Sequence, residues 1–149
     1  MKRIVVAVGA LLLGAGVVVA QQDVAVQQDN LMRGLARNLY GVMLKTVKGE
    51  NKYDQAALDN ALVELEQGVA KIAKTFEINP KEDVKDATYG SSQKIWQSKA
   101  DFDSRIPPVA KTIAGLRGQI KDVATLKTAY ETLNTECNKC HETYRVKLK

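Results

Sequence analysis

The 149-residue sequence predicts an all-α fold, an antiparallel up-down-up-down four-helix bundle. Three observations carry that prediction. Apolar residues after position 22 recur every three or four positions in four separate stretches. Prolines are few and fall between those stretches or near their ends. No run alternates apolar and polar residues for long enough to make a strand, so none is expected.

Residues 1–20 come before the bundle and read as a secretory signal. Lys2 and Arg3 form a basic start, Ile4 to Val19 is apolar with small residues, and Val18-Val19-Ala20 suits a small-residue cleavage site. The mature chain is expected to begin near Gln21, with residues 21–149 as one domain in the periplasm. An uncleaved anchor is the alternative, since the apolar stretch approaches the minimum for spanning a bilayer. Leaving out Lys2 and Arg3 lowers the formal net charge from +5 to +3. That is too mild a charge for a nucleic-acid binder and makes no polybasic membrane patch.

The first helix is expected from Asp23 to Val47, with Val24, Leu31, Leu35, Leu39, Val42 and Met43 on its apolar side and Met32 beside them. Lys48-Gly49-Glu50-Asn51 supplies its stop. The second helix opens on Asp54 as N-cap, carries Leu58, Ala61, Leu62, Leu65, Val69, Ile72 and Phe76, and ends before Asn79-Pro80. Residues 79–91 form the longest connection. A third helix begins near Ser92, carries Ile95, Trp96, Phe102, Ile106, Val109, Ile113 and Leu116, and kinks or breaks at Pro107-Pro108. Gly118 closes it, and Asp122 opens the fourth helix. In that helix Leu126, Tyr130, Leu133, Cys137, Cys140 and Tyr144 step by four and three along one side.

The fourth helix carries the chemistry. Cys137-Asn138-Lys139-Cys140-His141 is a C-x-x-C-H run, the attachment pattern of a c-type haem. Each thiol adds across a haem vinyl group to give a thioether, and the following histidine coordinates iron. These are the only two cysteines and the only histidine. A thioredoxin-like pair wants a βαβ setting that this sequence lacks. Structural zinc wants four ligands, and these residues offer three.

With His141 in one axial position, the second ligand decides between an electron carrier and a gas binder. No other histidine exists, which leaves the thioethers Met32 and Met43. In an up-down-up-down bundle the first helix starts where the fourth finishes. His141 lies eight residues before Lys149, about 12 Å along a helix. Met32 lies nine residues past Asp23, about 13–14 Å from the expected start. The two fit across one haem, although a methionine on an apolar face also serves as core filling. Met43 sits eleven residues further on, roughly 16 Å too far, and reads as core.

These residues resemble the class II c-type cytochromes, which comprise cytochrome c′ and the low-spin cytochrome c-556. The resemblance runs through Asp23-Val24 to Met32, Lys48-Gly49-Glu50 with Tyr53-Asp54, Ile95-Trp96 with Phe102, and Cys137 to Arg145. It implies a periplasmic four-helix bundle with one covalent haem c, and a homodimer is common in the family. The position of Met32 is the methionine ligand in the low-spin members and a non-ligating residue in the high-spin ones. Gln28 departs from the arginine that many cytochromes c′ place near the haem propionates, leaving Arg33 and Arg37 as substitutes. Arg145 matches a basic family position, with a solvated helix-end cation as the alternative. Trp96 reads as a core aromatic whose indole N–H bonds locally. Lys139, Lys147 and Lys149 read as solvated side chains at the haem end, where a positive rim helps an acidic partner to dock.

The expectation is a soluble electron carrier with His141 and Met32 on the iron and redox proteins as partners, not an enzyme. The alternative is a high-spin protein that binds nitric oxide or carbon monoxide, which requires Met32 to be off the iron.

Overall fold

A computed structural model describes residues 13–149, with side chains described from Asp23 onward. The first helical rod is α1 (Leu13–Ala36), a π-helical segment (Arg37–Leu44) and one further turn, α2 (Lys45–Val47). It ends at Val47, as the Lys48-Gly49 stop predicts, with Gly49 at φ 76°, a left-handed conformation that glycine adopts without cost. It begins before the expected Asp23, since helix already runs from Leu13. Residues 1–12 of the expected leader lie outside the described residues. Among those described, no helix is long and apolar enough to cross a membrane.

The π segment was not expected. Such a segment leaves some carbonyls without their usual helical partner. Two asparagines supply donors on either side: Asn38 Nδ2 donates to Gly34 O and Asn51 Nδ2 to Gly41 O, both at 3.0 Å.

Helix α3 (Gln55–Thr75) is capped by Asp54, whose carboxylate accepts the Ala57 N–H at 3.1 Å. The expected third helix is in fact three: α4 (Lys94–Gln97), α5 (Lys99–Ser104) and α6 (Ile106–Leu116). Its break falls at Arg105 rather than at the prolines, which occupy the first turn of α6, where missing N–H groups cost no helical bond. A second break, at Ser98, has no signal in the sequence. Helix α7 (Val123–Tyr144) opens on a reciprocal capping box between Asp122 and Thr125.

Two strands correct the expectation of none. β1 (Tyr89–Ser91) pairs antiparallel with β2 (Arg145–Lys147), Gly90 opposite Val146. Both are three residues long, too short to show an alternating pattern.

The rods close a four-helix bundle: α1 and the π segment pack on α3, α3 on α6, α6 on α7, and α7 back on the π segment. The α1–α3 contact is tight because residue 68 is glycine. A Cβ there would lie 2.5 Å from Leu35 Cδ2. One core cluster centres on Met43, Leu58, Leu62, Ile113, Leu126 and Leu133. A second, at the other end, gathers Phe76, Ile95, Phe102 and Tyr144 against Met32, Trp96 and Cys140.

Candidate haem site

Between the two clusters lies a cavity of about 450 Å³, large enough for a cofactor. Its wall is mostly aliphatic and aromatic, including Leu35, Leu65, Val69, Phe76, Phe102 and Ile113. Cys137, Cys140 and His141 line it from α7, and Met32 lines it from α1.

A cross-bundle bond shows why these residues meet. Tyr40 Oη donates to Asn134 Oδ1 at 2.9 Å, fixing the antiparallel register of the first rod against α7. Met32 is eight residues before Tyr40 and His141 seven after Asn134, offsets of about 12 and 10–11 Å in the same direction. Met43, beyond Tyr40, is fully buried in the first core cluster and does not line the cavity.

The electrostatics suit an uncharged, ligating set. Burial lowers the His141 pKa to about 4, with the nearby Arg145 cation adding to the effect, so the ring is neutral at physiological pH. Its Nδ1 is buried without a hydrogen-bond partner, the one such side-chain atom among the described residues. A buried nitrogen left unclaimed costs stability unless something coordinates it or bonds to it. Burial pushes the Cys137 thiol up to about 11, with Cys140 and Glu136 adding to the rise. Cys140 is also raised by burial, against the lowering pull of Arg105. Redox-active dithiols need the opposite, a stabilised thiolate. Among the described residues no three His, Cys, Asp or Glu side chains converge to hold a bare metal ion. An apolar cavity bordered by two neutral thiols, an unclaimed imidazole nitrogen and a thioether fits a haem and its iron.

Gln28, Arg33 and Arg145 line the cavity as well. Gln28 is buried, and its amide donates to Thr75 O at 3.2 Å and Ile78 O at 3.0 Å, tying α1 to the end of α3. Of the two substitute arginines, Arg33 reaches the cavity edge, paired with Asp29 at 2.6 Å. Arg37 lines a different groove, between α1 and α3. Arg145 also lines the cavity, its guanidinium 4.5 Å from the centre of the Tyr89 ring. Trp96 donates its indole N–H to Phe76 O at 3.0 Å. Lys139 pairs with Glu136 and Lys149 with Asp86.

The long connection forms one side of the cavity through Pro80, Asp83, Val84 and Thr88 to Ser91. The chain leaving α7 holds it there. Ser92 N donates to Tyr144 O and Leu148 N to Thr88 O, both at 2.9 Å, flanking the β1–β2 pairing. The segment that follows the cysteines and histidine thus closes the wall beside them.

Residues 23–145 match the cytochrome C′ family. The chain is 64% identical to cytochrome c-555 of Bradyrhizobium diazoefficiens over 149 residues, all of both chains. It is 42% identical to cytochrome c-556 of Rhodopseudomonas palustris, covering 99% of each. The structure of oxidised R. palustris cytochrome c556 superposes with a TM-score of 0.72 at 38% identity, over 86% of this chain and 99% of that one. The chain belongs to the cytochrome c′ family, and its cofactor is a covalently bound haem c.

Proposed function

We propose that this protein is a periplasmic one-electron carrier, its haem joined by thioethers at Cys137 and Cys140 and its iron held between His141 and Met32. One observation carries the reading. Met32 and His141 line the same apolar cavity as both cysteines, while Met43, the other methionine of the first rod, is spent on the core. The resemblance to the low-spin c-556 members supports it.

When bound, the haem supplies a ferric–ferrous couple that needs no substrate. The protein's part is to hold the iron's surroundings still. Thioether ligation raises the potential relative to harder ligands. The aliphatic wall keeps water out and favours the less charged, reduced state. The neutral His141 ring offers its lone pair without first losing a proton. The periplasm follows from residues 1–20 as a cleaved signal, and the partners are redox proteins.

Acid–acetone extraction of the holoprotein should leave the colour on the polypeptide, and spectra should be low-spin in both oxidation states. Met32→Leu should open one axial position, turn the iron high-spin, admit carbon monoxide and lower the potential. Met43→Leu, nearly volume-conserving, should cost less than about 1.5 kcal/mol and leave the spectrum unchanged. A wild-type protein that is already high-spin and binds carbon monoxide readily refutes Met32 ligation and makes gas binding the function.

A further inference from the structure

Arg105 stands at the junction of α5 and α6, outside every motif, yet its side chain hydrogen-bonds to α7 on both sides of Cys140 and His141. Its Nη1 donates to Lys139 O at 2.9 Å and to Thr143 Oγ1 at 3.3 Å. Its Nε and Nη2 meet Asp101 Oδ2 at 3.0 and 2.9 Å. The guanidinium lies 5.2 Å from the centre of the buried Tyr144 ring, and the Tyr144 hydroxyl donates to the same Asp101 carboxylate. Tyr144 in turn packs edge-on against Phe102 of α5, with ring centres 5.2 Å apart.

We propose that Arg105 is a positioning residue for the haem-bearing turn, acting with Asp101 and Tyr144 as a clamp that sets how Cys140 and His141 are presented to the cavity. This rests on the reading that those residues hold the haem. Lys139 directly precedes Cys140, and Thr143 lies two residues past His141, so the two contact points on α7 bracket the pair. Rotating or fraying the last turns of α7 would break both bonds, and either motion would carry the imidazole and the second thioether with it. The planar fork is what the arrangement uses. Two N–H groups face the carboxylate while a third reaches the neighbouring helix, which a lysine ammonium on a single stem cannot do at once. Asp101 offsets only part of the Arg105 charge felt at Cys140, and the positioning rests on the two hydrogen bonds to α7 rather than on that field.

The test compares wild-type, Arg105→Lys, Arg105→Gln and Tyr144→Phe holoproteins. Its readouts are amide hydrogen exchange over Cys140–Tyr144, ferric electron paramagnetic resonance and midpoint potential. Exchange in that turn should quicken about tenfold in both Arg105 variants, because the turn opens locally more often. The paramagnetic anisotropy, which follows axial ligand orientation, should move with it. Tyr144→Phe keeps the ring and loses only the hydroxyl bond, so it should give a smaller change in the same direction without endangering the fold. Wild-type exchange and spectrum in Arg105→Lys would overturn the clamp. So would a potential shift in Arg105→Gln that lysine restores together with both other readouts, since charge alone would then explain it. Haem extractable from the wild type refutes the haem reading itself. Firmly attached haem with unaltered variants refutes only the positioning role.

Discussion

Replacing Gln28 with leucine tests whether the tie between α1 and the end of α3 supports the site. The substitution keeps a Cβ methylene and comparable bulk but removes the amide that serves the carbonyls of Thr75 and Ile78 at 3.2 and 3.0 Å. Each bond contributes about 1 kcal/mol net, and a carbonyl left dry costs up to about 3 kcal/mol. Ile78 is 60% exposed and Thr75 is half-buried, so water reaches both carbonyls and the lower figure applies to each. Two bonds at about 1 kcal/mol give about 2 kcal/mol. For a domain of this size each kcal/mol moves the melting temperature by about 2–4 °C, so a drop of about 4–8 °C is expected. Thermal unfolding of the holoprotein followed by far-ultraviolet circular dichroism measures it. On the proposed Met32 ligation, the ferric methionine–iron charge-transfer band should weaken well below the transition, since Gln28 is one helical turn before Met32. A melting temperature within 1 °C of wild type, with the band intact, would show that the carbonyls find water and that the tie is dispensable.

Two further outcomes follow from the same geometry. Because burial holds the free His141 ring at about 4 rather than 6.5, protons compete weakly for its nitrogen above that pH. Acid titration of the absorption spectrum should therefore show iron–histidine ligation surviving to pH 4 or below, and loss between pH 6 and 7 would mean the ring is solvated. Gly68→Ala gains about 1 kcal/mol of helix propensity, but its Cβ must displace a Leu35 methyl otherwise 2.5 Å away, at about 1–3 kcal/mol. A net fall in melting temperature is expected, and a rise would show that α1 and α3 have room to spare.

How far the sequence foretold the structure depended on the range of the interaction. Helix ends written by one residue and its near neighbours were legible: Asp54 and Asp122 cap as their side-chain chemistry dictates, and Gly49 stops the first rod. The seam on α7 was legible because one helix face repeats with a short period. Leu126, Leu133 and Tyr144 from it are buried, and the two cysteines are half-buried beside the cavity. The antiparallel topology, counted in helical rises, brought Met32 rather than Met43 to the cavity. What the sequence hid is made by segments that touch only after folding. Ser98 breaks a helix with no proline or glycine to announce it. Gln28 acts on carbonyls some fifty residues away, and Arg105 on a carbonyl 34 residues away. β1 and β2 exist because α7 delivers the tail to the long connection, a meeting that no three-residue pattern encodes.

The π segment shows how a local anomaly serves the site. Leu31, Leu35, Leu39, Met43 and Val47 are spaced by four throughout. At about 100° per residue each such step overshoots a full turn by roughly 40°, so four steps in a plain α-helix would swing Val47 nearly opposite Leu31. Winding Arg37–Leu44 more loosely, with hydrogen bonds closing five residues apart, takes up that drift. Leu39 and Met43 are thereby buried and Val47 packs against the same cluster, while Leu31 and Met32, before the segment, join the other. The segment also carries Tyr40, whose bond to Asn134 fixes the register against α7. The separate employment of the two methionines follows from this change of winding as much as from their distance along the chain. An α-helical rod would carry the same residues with the same spacing, yet set Met43 roughly 120° around the axis from Leu31, at the margin of the face that packs on α3 and α7.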